Sequence, residues 1–102
     1  MEFIETFAFS KAARDLISDE ELSHLQITLL SCPGMGAIIP GSGGLRKLRW
    51  IGGAKGKRGG LRVIYYWVTA EHQIYLLYVY KKSKQENLTP EQIRQLKVLL
   101  ED

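Results

Sequence analysis

The chain has 102 residues, a net charge of +3 and a single cysteine, Cys32. That length suits one domain, residues 1–102, with one core and one active surface, and a lone cysteine excludes an internal disulfide framework. Apolar runs such as IYLLYVY are too short to span a bilayer as a helix, and without a charged-then-apolar opening the chain reads as cytoplasmic.

The opening MEFIETFAF has the aromatic and β-branched content of a strand, and Ser10 is placed to cap a short helix through KAARDLI. In SDEEL, Ser18 and Glu21 have capping-box spacing, after which Leu22, Leu25 and Leu29 recur with helical period. This second helix ends near Cys32, because Pro33 disfavours helical geometry in the residue before it and Gly34 and Gly36 favour turns. The PGSGG stretch reads as a loop.

Residues 45 to 51 alternate, which places Lys47 and Arg49 on one face of a strand and Arg46, Leu48 and Trp50 on the other. GGAKGKRGG is too rich in glycine for a helix or firm strand and reads as a hairpin loop. LRVIYYWV and QIYLLYVY then form the central strands, separated by a turn at TAEH. Both of their faces are apolar, so each face needs cover or binds something. Finally Thr89, Pro90 and Gln92 combine an N-cap, a first-turn proline and an N3 amide, and Ile93, Leu96 and Leu100 form the apolar stripe of a last helix. The order β-α-α-β-β-β-α predicts an α+β domain whose mainly antiparallel sheet carries its helices on one face.

The charge distribution points to the function. No Asp or Glu occurs between Glu21 and Glu71, whereas Arg46, Lys47, Arg49, Lys55, Lys57, Arg58 and Arg62 all fall in that interval. So uneven a distribution suits a polyanion-binding face, a solvated surface being the alternative. His24 and His72 are distant in sequence and Cys32 is alone, which supports neither a zinc cluster nor a Cys-His pair, and the glycines lack the order of a phosphate-binding loop. No metal or cofactor is implied. Tyr65, Tyr66, Trp67, Tyr75, Tyr78 and Tyr80 interleave with the cations, a combination suited to phosphate neutralisation and base stacking, with one or two of the six expected at the surface and the rest in the core.

RNA supplies its own nucleophile, the 2′-hydroxyl, so a surface that orients it and stabilises phosphate charge is able to cut without histidine or metal. Arg62 is the leading candidate for that stabilisation, as a permanently charged planar fork, with a structural salt bridge as its rival role.

The segments GSGGLRKLRW, GKRGGLRVIYYW and IYLLYVYKKSKQENLT, in that order, resemble RelE/HigB-type toxins of bacterial type II toxin-antitoxin systems, most closely the HigB branch. The resemblance covers nearly the whole chain. It implies a microbial RNase-like RelE fold, a metal-independent mRNA interferase acting in the ribosomal A site, and a HigA-like helix-turn-helix antitoxin through which alone the pair contacts operator DNA. The family's basic pair on the second predicted strand falls on Lys47 and Arg49, its central-strand arginine on Arg62, and a basic residue after the last strand on Lys82. A tyrosine that RelE carries falls near Leu88 here, where no proton transfer is possible, so Tyr80 is the nearest substitute; Lys47, crowded by cations, is a further candidate for proton transfer. Arg46, Lys55, Lys57, Arg58 and Lys81 are expected to contact RNA or ribosomal phosphates. ParE-like toxins, which share the fold but inhibit DNA gyrase by protein contact, are the alternative, as is an RNA-binding module without turnover.

Overall fold

The computed structural model describes residues 1–50 and 60–101. Its elements run β1 (Glu2–Glu5), α1 (Phe7–Ala13), α2 (Asp19–Ser31), β2 (Ala37–Ile38), β3 (Arg46–Trp50), β4 (Leu61–Val68), β5 (Gln73–Lys81) and α3 (Pro90–Val98). The strands form one mixed sheet in the order β1-β5-β4-β3-β2. Among the described residues, only the β1–β5 pair is parallel. The expected α+β class therefore holds, with an added two-residue strand, β2, in the stretch before the PGSGG loop.

Local chemistry explains most boundaries. Thr6, rather than Ser10, caps α1: its Oγ1 accepts from the Phe9 N–H at 3.1 Å and donates to the Leu76 carbonyl at 3.0 Å. One side chain thus satisfies an orphan donor and ties the helix to β5, so FAF belongs to the helix, and β1 ends at Glu5. Ser18 and Glu21 form the expected reciprocal box, and Thr89 and Gln92 form its counterpart on α3. Between β4 and β5 the turn closes with His72 in the left-handed region at φ 52°.

The helices do not share one face, and this corrects the predicted layering. Phe9 and Ala13 of α1 and Leu25 and Leu29 of α2 pack with Leu48, Leu61, Val63, Tyr65, Ile74 and Leu76. Leu96 of α3 packs with Leu45, Ile64, Leu77 and Tyr80 on the opposite side. The physical reason lies in β4 and β5, whose two apolar faces demand two covers. A register shift between Ile64 and Tyr65 leaves Leu77 opposite no residue of β4. Leu77 and Tyr78 consequently both contribute to the α3 side, as a bulge permits.

Tyr65 anchors the link between α2 and β2. Its buried hydroxyl donates to the Pro33 carbonyl at 2.7 Å and accepts from the Gly36 N–H at 2.8 Å. A Cβ at Gly36 would stand 2.9 Å from the Tyr65 ring and 3.0 Å from the Lys47 carbonyl, so the close approach requires glycine. Tyr65→Phe strands the buried Gly36 N–H and is expected to cost about 1–3 kcal/mol, read as a lower urea midpoint with an unchanged slope. An unchanged midpoint would remove the hydroxyl from this account.

Candidate nucleic-acid interface

Strand pairing, not sequence proximity, assembles the basic site. Arg49 of β3 stands opposite Arg62 of β4, and Arg62 stands opposite Tyr80 of β5, so the three form one row across the sheet. Lys47 pairs with Ile64, and Ile64 with Tyr78, in the neighbouring row. Ile64, Tyr78 and Tyr80 belong to the α3-side cluster, and alternation places Lys47, Arg49 and Arg62 on that face with them. Lys82 is exposed just past β5, at the same end of the sheet, where its N–H donates to the Gly60 carbonyl at 3.3 Å.

The row is graded from solvent to core. Arg49 is exposed, whereas Arg62 is only 7% exposed and donates through Nη1 to the Leu61 carbonyl at 3.3 Å. A guanidinium so enclosed stands in a setting where charge acts strongly. Tyr80 is 5% exposed, and its hydroxyl has no hydrogen-bond partner among the described residues. Burial raises its pKa above 10.0, and the Arg62 charge opposes that rise. Tyr80 therefore keeps its proton in ordinary conditions and has a proton and a hydrogen bond to donate. Its ring lies 6.0 Å from that of Tyr78.

Two other cations of the expected set lie on the opposite face. Arg46 donates to the carbonyls of Gly34 at 3.2 Å and Gly36 at 2.7 Å, and its guanidinium sits 6.0 Å from the Trp67 ring centroid. This is a structural brace for the α2–β2 connection, with a cation–π contact added. Lys81 pairs with Leu61, whose side chain belongs to the α1 and α2 side. Lys55, Lys57 and Arg58 lie outside the described residues.

The expectation of one or two exposed aromatics is not met. Tyr65 and Tyr80 are buried, and Tyr66, Trp67, Tyr75 and Tyr78 are half-buried. The cover provided by α3 on the second face accounts for the difference, since Tyr66, Tyr75 and Tyr78 pack against its cluster. Leu88 packs there too. One site residue escaped the sequence reading: Asn87, whose Oδ1 accepts from Lys47 Nζ at 2.9 Å. Forty positions separate the two, and no local pattern signals such a pair.

The model of the RelE toxin of the RelE/RelB toxin-antitoxin system matches residues 1–101. The chain belongs to the RelE toxin family. Among solved structures, a doubly substituted E. coli toxin RelE in the free state is 17% identical, with 99% of this chain and 97% of that one covered and a TM-score of 0.64. A chain of the intact E. coli RelBE toxin-antitoxin complex is 18% identical, with 78% of this chain and 94% of that chain covered and a TM-score of 0.59. These likenesses establish a RelE fold, and the family match identifies a toxin of a toxin-antitoxin system. Among the described residues, no helix is long and apolar enough to cross a membrane.

Spectrophotometric titration checks the electrostatics of this RelE-type site. Of the five tyrosines, Tyr65 and Tyr80 should ionise above 10.0, and Arg62→Ala should move Tyr80 further up by removing the charge that opposes burial. The folded state holds these protons after the unfolded chain releases them, so their stabilising contribution is intact below about pH 10 and declines as pH rises through the folded values. Five tyrosines titrating together at the ordinary value would contradict the burial of both.

Proposed function

We propose that this chain is a metal-independent endoribonuclease, an mRNA interferase that cuts messenger RNA in the ribosomal A site and thereby stops translation. The observation that carries the reading is the row Arg49–Arg62–Tyr80 with Lys47 beside it on the same face. It sets permanent positive charge next to a neutral, buried hydroxyl.

In this mechanism the RNA 2′-hydroxyl attacks the adjacent phosphorus. A 2′-O–P bond forms, the P–O5′ bond breaks, the attacking hydroxyl loses its proton and the departing 5′-oxygen gains one. Arg62 holds the phosphate oxygens as negative charge accumulates, in an enclosed setting that strengthens the interaction. Arg49 and Lys47 add charge from β3, and Lys82 acts as a point charge in place of a fork. Tyr80, kept neutral by burial, donates toward the leaving oxygen or the phosphate. In its bond to Asn87, Lys47 is the donor, which suits contact with phosphate oxygens.

Arg46, Lys55, Lys57, Arg58 and Lys81 are proposed as salt-sensitive contacts to message or ribosomal RNA, with affinity as their contribution. Arg46 does so only with the part of its guanidinium not committed to Gly34 and Gly36. The motif order over residues 41–89 supports the HigB branch, and with it a HigA-like antitoxin that carries any contact to operator DNA. The existence of a RelBE complex among the structural neighbours supports an antitoxin partner of some kind. Ribosomes as the site of action place the protein in the cytoplasm.

Primer extension on a defined message in a purified translation reaction tests this reading. Wild-type protein should give discrete cuts only with ribosomes, and Arg62→Ala, folded by circular dichroism, should cut at least about 100-fold more slowly. Intact message in every lane, accompanied by inhibition of gyrase supercoiling, would replace the nuclease with a ParE-like inhibitor.

A further inference from the structure

The segment between β5 and α3 is fastened by a set of side-chain amides that reaches Lys47. Gln85 Nε2 donates to the Asn87 carbonyl at 2.9 Å and also to Gln92 Oε1. Gln92 Oε1 accepts in addition from the Thr89 N–H at 3.0 Å, while the Gln92 N–H donates to Thr89 Oγ1 at 3.1 Å. Both hydrogens of the Gln85 amide are thereby used, and the Asn87 backbone is pinned to the N-terminal cap of α3. The Asn87 side chain then accepts from Lys47 Nζ at 2.9 Å.

Lysine places a compact charge on a flexible stem with three rotatable donors, so its direction is set by whatever accepts from it. Lys47 and Asn87 border a groove of about 390 Å³ whose other lining residues are Ala37, Ile38, Ile39, Pro40 and Leu88. None of those side chains offers an acceptor. Among the described residues, the Asn87 oxygen is thus the one side-chain acceptor of the groove available to direct the ammonium.

We propose that Asn87 is a positioning residue: held by Gln85 and the α3 cap, it aims the Lys47 ammonium at the RNA phosphate. The proposal rests on the assignment of Lys47 to the cleavage site. Asn87 itself carries no charge and need not touch RNA; its effect passes through Lys47. One donor of Lys47 is spent on the tether, and two remain for phosphate oxygens.

Single-turnover cleavage in the ribosome reaction, run with Asn87→Ala, Lys47→Ala and the double variant, provides the test. Asn87→Ala should slow the cutting step about tenfold to hundredfold while the affinity for ribosome-bound message stays within about twofold, because the charge is retained. In the Lys47→Ala background the same substitution should have no further effect, the signature of action through that lysine. Asn87→Asp, which keeps an acceptor oxygen at the same reach, serves as the second variant. Nitrogen relaxation at Lys47 Nζ gives a readout independent of cleavage: ordered in the wild type and in Asn87→Asp, and as mobile as exposed Lys11 in Asn87→Ala. Equal losses from Asn87→Ala with and without Lys47, or a mobile Lys47 Nζ in the wild type, would overturn the proposal. A wild-type protein that cuts no message overturns the functional reading instead, and the relaxation measurement then still decides whether Asn87 holds Lys47.

Discussion

The alternation of β4 sets Leu61, Val63 and Tyr65 against α1 and α2, and sets Ile64 and Tyr66 against α3. Arg62 inherits the second face from this parity, since a residue's neighbours two positions away share its side of the sheet. A slip of one residue would move the guanidinium into the α1 and α2 core and turn Val63 and Tyr65 outward. The core therefore fixes the site: with Leu61 and Val63 fully buried, the arginine between them has one orientation open to it. Arg49 and Tyr80 are then brought beside it by pairing alone.

The bulge at Leu77 extends the same logic to β5. Without an extra residue, strict alternation from Leu76, which faces α1 and α2, would put Tyr78 and Tyr80 on that side too. The shift between Ile64 and Tyr65 resets the parity and turns both tyrosines toward α3. A bulge of this kind re-aims side chains at the cost of one unpaired position. Here it places a hydroxyl beside Arg62, close enough for the arginine's charge to counter part of the burial effect on Tyr80.

Much of this was legible in the sequence. The period-2 pattern of residues 45–50 placed Lys47 and Arg49 on one face and Arg46 on the other, and the capping boxes at Ser18 and Thr89 fixed two helix starts. Local signals of this kind depend only on neighbouring residues. The cap at Thr6 was misread because its second partner, the Leu76 carbonyl, is 70 positions away. The side taken by α3 was misread for a similar reason: an apolar stripe shows that a helix packs, but not against which face of a sheet whose faces are both apolar. Strand β2 is two residues long, too short for any period to show.

Asn87 belongs to the same class of hidden information, and its role in the proposed mechanism is to place a cation. Basic side chains advertise themselves by charge, whereas an amide that orients one of them looks like any loop residue before a helix cap. What distinguishes Asn87 is its double attachment, by backbone to Gln85 and by side chain to Lys47. Leu88, directly after it, is held in the α3-side core and lines the groove with Lys47. Leu88 is a packing residue, which fixes the segment by its contacts with the α3-side core. A hydroxyl beside Arg62 is contributed by β5, and the segment after β5 sets an acceptor against the β3 lysine. In this chain, the buried hydroxyl beside Arg62 and the acceptor for Lys47 come from two neighbouring elements, anchored in the second core through Tyr80 and Leu88.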